Sequence, residues 1–231
     1  MRLAAKFSQM LAAALLLVGV VLTVYGLIIK AEAEALLRDF TALTVGTSTE
    51  SDLTRLKQRH IRFFISHTCS EGFCQTMFEV QNRWLSALRL EPHAEFDAWA
   101  TVKDGVIISV HAWLYRSMPI FPTFPASAGA VDEYAEYPKP FSSSYGSSYD
   151  FPTPIGKPYL NVVLDSHATS IQRQRAFQFS FRCLVKPGWG CNLPCDYLPL
   201  AWQDWKASLM NSGWPKDNFD SHYPKNDRCK L

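Results

Sequence analysis

Six cysteines, at positions 69, 74, 183, 191, 195 and 229, are the residues whose type and spacing most invite chemistry. A thiol can serve as nucleophile, metal ligand or half of a disulfide, and its neighbours decide which. Zinc fingers and ribbons need short Cys pairs in matching sets, whereas Cys191-x3-Cys195 has only Cys183 and distant Cys229 to complete it. No Cys-x2-Cys-His offers haem attachment, and no Cys-x2-Cys suggests a thioredoxin-like pair. An even number, clustered locally and confined to one part of the chain, is the pattern of an oxidising compartment. The expected framework is Cys69 with Cys74, Cys183 with Cys191 and Cys195 with Cys229, the last two pairs being open to exchange of partners.

The other reactive types give less. His67-Thr68-Cys69 sets an imidazole two residues from a thiol, on one face if the segment is a strand, yet Cys74 is near enough to take that thiol into a disulfide. His60, His93, His111, His167 and His222 are scattered and read as surface or satisfied core residues. Gly-x-Ser-x-Gly, His-Glu-x-x-His and a phosphate-binding glycine loop are all absent. The expectation is therefore no catalytic residue, no cofactor and no metal. Seven tryptophans would suit sugar stacking, but Trp99, Trp113, Trp202 and Trp205 lie at core periodicities, leaving Trp84, Trp189 and Trp214 as candidate platforms.

What positions these residues starts at the N-terminus. Residues 10–29 carry no charge, and as a helix of about 1.5 Å rise per residue they span roughly 30 Å, the thickness of a bilayer's hydrocarbon core. Residues 1–9 are expected inside and residues 30–231 outside, as one disulfide-containing domain at an inner or plasma membrane, with the bilayer as first partner. A cleaved signal peptide is the alternative, since Ala31-Glu32-Ala33 and Ala33-Glu34-Ala35 have small-x-small spacing. Arg2, Lys6 and Lys30 are among the 23 basic residues while all 21 acidic ones lie beyond position 30, so the domain is one charge to the acidic side of neutral. Such a balance gives no electrostatic case for nucleic acid.

Beyond the anchor, Ala33, Leu36, Leu37, Phe40 and Leu43 form one helical stripe, so the membrane helix is expected to run on into the domain. Thr47-Ser48-Thr49-Glu50 supplies a capping box for a second helix through about Gln58. The period then changes to two, with strands at 61–66 and 73–81 around a turn at 68–72. Asp104-Gly105 between apolar runs predicts a type I′ hairpin in which Val102 faces Ile107, Ala100 faces Ser109, Ala98 faces His111 and Phe96 faces Trp113. Residues 117–158 hold eight of the fourteen prolines and eight aromatics, and are expected as an irregular insertion laid over the sheet. Strands at 159–165 and 176–184 follow, the second with Phe177, Phe179, Phe181 and Cys183 on one face, and Pro199 opens a last helix. The fold class is α+β, a transmembrane helix followed by a mainly antiparallel sheet of about six strands and a few short helices.

Two resemblances bear on function. The stretch from Leu43 to Leu53, leucine, glycine, threonine and acid at a helix start, resembles small lipoproteins of the outer-membrane assembly machinery. Asn82-Arg83-Trp84-Leu85, the Asp104-Gly105 hairpin and Arg182-Cys183 resemble a family of bacterial membrane-anchored proteins, a resemblance that implies an envelope location and no activity. The expected role is a non-enzymatic binding or scaffold protein with an envelope-protein or cell-wall partner. The alternative is a hydrolase-like envelope enzyme whose site no motif reveals. Phe121, Phe124, Tyr134, Tyr137, Tyr145 and Tyr149 are the expected partner surface, or else a lid on the protein's own sheet.

Overall fold

One helix, α1 (Arg2–Thr41), joins two environments. Phe7, Met10, Leu15, Leu16, Val20, Val24 and Ile28 are exposed, whereas Ile29, Ala33, Leu36, Leu37 and Phe40 are buried in the hydrophobic core. Among the described residues α1 is the one helix long and apolar enough to cross a membrane. The computed structural model describes residues 2–83, 94–118, 121–135, 146–148, 159–185 and 194–211.

The core half of α1 lies on a seven-stranded sheet, and the whole is α+β. The strands are β1 (Phe64–Ser70), β2 (Phe73–Gln81), β3 (Ala94–Lys103), β4 (Val106–Met118), β5 (Phe121–Tyr134), β6 (Gly146–Ser148) and β7 (Tyr159–Leu164), in the order β1-β2-β3-β4-β5-β7-β6. Every pairing is antiparallel except that of β5 with β7. Among the described residues, the helices α2 (Glu50–Arg59), α3 (Ser170–Ala176) and α4 (Pro199–Asn211) join α1 on one face of the sheet. There Leu53, Leu56, Ala176, Trp202 and Trp205 meet Phe78, Val80, Phe96, Ala98, Val110, Leu114 and Val162 in a single core.

Local chemistry explains the elements. Thr49 caps α2 with Asp52, two residues later than the expected Thr47 box. Both tight turns use paired positive φ, Glu71 and Gly72 at 51° and 83°, Asp104 and Gly105 at 53° and 78°, as two-residue hairpin loops require. Gly129 of β5 sits under the start of α4, where an added Cβ would fall 2.8 Å from both Leu198 Cγ and Tyr197 Cβ. Arg173 of α3 chelates Glu133 of β5 through Nε at 2.9 and 2.8 Å and donates to the carbonyls of Thr41 and Leu43. One guanidinium thus fastens the end of α1, the sheet and α3.

Three expectations need correction. The 117–158 stretch is not wholly irregular, for β5 runs through it and pairs β4 on one side and β7 on the other. Pro122 and Pro125 lie outside Ala128–Glu133, the part of β5 that β7 pairs among the described residues, and beside a break in the β4 register. The 176–184 strand is replaced by the end of α3, an extended link and a 3-10 turn, Phe181–Leu184. Phe177, Phe181 and Cys183 are buried and Gln178 and Arg182 exposed, so the alternation reports burial without a sheet partner. Thirdly, the hairpin register holds only for Val102 with Ile107: a bulge at Ile108 then pairs Thr101 with Ser109, Ala100 with Val110, Trp99 with His111 and Asp97 with Trp113.

Candidate functional site

That bulge decides what the second face of the sheet contains. An extra residue flips every later side chain on the bulged strand. Val110, Ala112 and Leu114 turn into the core, and Ser109, His111, Trp113 and Tyr115 turn to the face opposite the described helices. Strand alternation adds Met77 and Glu79 from β2, Glu95, Asp97, Trp99 and Thr101 from β3, Asp132 and Tyr134 from β5, and Asn161 from β7. Trp99 and Trp113, expected in the core, are half-buried here, whereas Trp202 and Trp205 are core residues as expected.

Two polar groupings share this face. In the first, His111 Nδ1 lies 2.7 Å from Asp132 Oδ1 and Nε2 lies 3.1 Å from Ser109 Oγ. A carboxylate only accepts, so Nδ1 carries the hydrogen and, in neutral imidazole, the Ser109 hydroxyl donates to Nε2. Asn161 Nδ2 donates to Asp132 Oδ2 at 3.0 Å. Trp99 stacks on the imidazole with centroids 5.0 Å apart, and Tyr134 meets it edge-on at 5.3 Å. The order hydroxyl, imidazole, carboxylate is that of a serine nucleophile, its base and the orienting acid. Ser109, however, is buried, with a paired strand on each side.

The second grouping is acidic. Asp97 pairs with Glu79 across β2 and β3 and shares its strand face with Glu95; both Asp97 and Glu95 are more than nine-tenths buried. Burial, then the charges of Glu95 and Glu79, raise the Asp97 pKa to about 8, so it holds a proton at neutral pH. Asp97 Oδ1, the indole Nε1 of its cross-strand neighbour Trp113 and Asn161 Oδ1 are buried and, among the described residues, have no hydrogen-bond partner. Orphaned atoms of this kind are few in folded proteins, and three on one sheet face mark a place for a ligand or ordered water.

The remaining expected residues fall elsewhere. Cys69 and Cys74 form the expected disulfide, opposite each other on β1 and β2. Cys183 and Cys195 are also disulfide-bonded, while Cys191 and Cys229 lie outside the described residues. Of the expected partner surface, Tyr134 belongs to the polar face and the backbones of Phe121 and Phe124 lie on β5. Tyr137, Tyr145 and Tyr149 lie outside the described residues, as do Trp84, Trp189 and Trp214. The signal that would have exposed His111 is the break of alternation after Ile107, where apolar Val110, Ala112 and Leu114 take the parity that Ile107 leaves. Against family models, curated proteins and solved structures the chain has no match.

Proposed function

We propose that this is a single-pass membrane-anchored envelope protein whose external domain binds a polyhydroxylated ligand, a cell-wall glycan, on the polar face of its sheet. The orphaned atoms of Asp97, Trp113 and Asn161 carry the reading. A protonated carboxyl, an indole N–H and an amide oxygen offer donors and acceptors together, and hydroxyl-rich ligands are matched to such a mixture. The rings of Trp99, Trp113 and Tyr115 lie alongside and suit the apolar faces of a sugar. Anchoring is supported by the continuity of α1. Cleavage after Ala33 or Ala35 would cut the helix inside its buried stretch, removing Ile29 and Ala33 from the core and parting Leu36, Leu37 and Phe40 from the turns that precede them. Co-sedimentation with purified cell-wall sacculi tests the reading: the intact protein should pellet, and Trp113→Phe and Asp97→Leu, which remove hydrogen-bonding groups from the face, should weaken pelleting about tenfold, the loss of one or two hydrogen bonds. Absence of pelleting by the folded parent protein would end the glycan assignment.

A hydrolase is the second reading, favoured by the Ser109–His111–Asp132 geometry. A fluorophosphonate probe decides it: covalent labelling lost in Ser109→Ala would establish a nucleophile, and no labelling leaves the network as a support for the binding face.

A further inference from the structure

We propose that the Cys69–Cys74 disulfide is exchangeable, with Cys69 the attacked and attacking sulfur and His67 its positioning residue, so that the β1–β2 hairpin passes electron pairs to and from a protein dithiol. This inference is independent of the glycan reading, because it lies at the opposite end of the sheet from β7 and uses none of the same residues.

The bond sits one residue from the Glu71-Gly72 turn, on the edge strand of the sheet, where a second protein can reach it. Cys69 and His67 are exposed, whereas Cys74 is half-buried against the core, so an incoming thiolate meets Cys69 first. His67 Nε2 lies 3.5 Å from Cys69 Sγ, and Thr76 Oγ1 lies 2.8 Å from its Nδ1. With the buried Thr76 hydroxyl donating to Nδ1, Nε2 carries the hydrogen and directs it at the sulfur. The imidazole nitrogen and both sulfurs lie within 4.8 Å of one another.

The chemistry balances without a further reactant. A thiolate of the partner attacks Cys69 Sγ, the Cys69–Cys74 bond breaks, and Cys74 leaves with the electron pair and takes up a proton. The partner's second thiolate then attacks its own sulfur in the mixed disulfide, and Cys69 leaves as a thiolate held by His67 Nε2–H. The partner is oxidised by two electrons and the hairpin is reduced; the reverse sequence returns them.

Full-length protein in lipid nanodiscs, equilibrated in glutathione redox buffers and then alkylated and mapped by mass spectrometry, tests this. Cys69 and Cys74 should become alkylated together while Cys183 and Cys195 stay bonded and the thermal midpoint is kept. His67→Ala, at an exposed position, should slow the attack of reduced Cys69 on oxidised glutathione about tenfold, because the Cys69 thiolate loses the Nε2–H that holds it, and Thr76→Val should slow it in the same sense. His67→Gln, which keeps a side-chain N–H donor, should recover part of the rate. Bridging that persists until the domain unfolds would overturn the proposal, as would exchange at the parent rate in His67→Ala.

Discussion

The two faces of this one sheet obey different rules. Under the helices, Phe78, Val80, Phe96, Ala98, Val110, Leu114, Val131 and Val162 are all buried, and the charged exception, Glu133, is chelated by Arg173. On the other face, carboxyls, imidazole, hydroxyl and indole groups crowd together, and some of their atoms find no partner among the described residues. The same strands, and often adjacent residues, supply both. The difference teaches that stability is concentrated on one side, so the other is free to hold groups that burial alone disfavours.

The sharpest way to break the contrast is to damage the helical face. Arg173→Met would leave Glu133 buried without its counter-charge and the carbonyls of Thr41 and Leu43 without a donor. Burial already pushes the Glu133 pKa up and Arg173 pulls it down. Loss of one partner of such a pair costs about 3–5 kcal/mol, which denaturant melts of the domain should register. A variant within about 1 kcal/mol of the parent would show that the latch contributes little.

Asp97→Asn tests the other face and should act in the opposite direction. Because the folded pKa is raised to about 8, the folded protein keeps a proton that the unfolded chain loses above about pH 4. Stability owed to this group is complete below pH 4 and is lost as pH rises to about 8. The variant should match the parent near pH 4 and exceed it by several kcal/mol at pH 9, the difference growing steadily between those values. A stability difference that does not grow between those pH values would remove Asp97 from its assigned protonation state.

How legible each face was in the sequence follows from the same contrast. The helical stripe of Ala33, Leu36, Leu37 and Phe40, the Asp104-Gly105 turn and the Trp202 and Trp205 stripe announce the buried side, because burial selects apolar residues at fixed periods. The polar face depends on the bulge at Ile108, one residue long, which a strict two-residue period places on the wrong side. Two elements were lost to local chemistry. Thr169 with Gln172 is a capping box that starts α3, which ends at Ala176, the first residue of the expected 176–184 strand. Pro122 and Pro125 hide a strand that passes them where the β4 register is broken, outside the part that β7 pairs among the described residues. The Ser109, His111, Asp132 and Asn161 group is assembled from three strands, so no local spacing announces it.

A smaller perturbation tests how close the helical layer lies. Gly129→Ala places a methyl group 2.8 Å from Leu198 Cγ and Tyr197 Cβ, so α4 must lift or the strand must bend. Overpacking of this kind costs about 1–3 kcal/mol, and thermal denaturation should show it without change in the polar face. An Ala128→Gly control, which adds no atoms, separates steric cost from altered strand propensity.

The smallest expected effect belongs to Ser109→Ala, and it weighs the two faces most finely. The hydroxyl donates to His111 Nε2, while Asp132 still holds Nδ1 and Trp99 and Tyr134 still hold the ring. Removing it leaves one imidazole nitrogen without a partner, which costs about 1 kcal/mol if that nitrogen stays dry and less if water reaches it. The His111 ring should therefore keep its place, visible as an unchanged indole stacking shift for Trp99 in an NMR spectrum. A loss above about 3 kcal/mol, comparable with breaking the Arg173 latch, would mean that the polar network supports the fold as strongly as the core does. The division of labour between the faces would then fail, and the Ser109 group would count as structure.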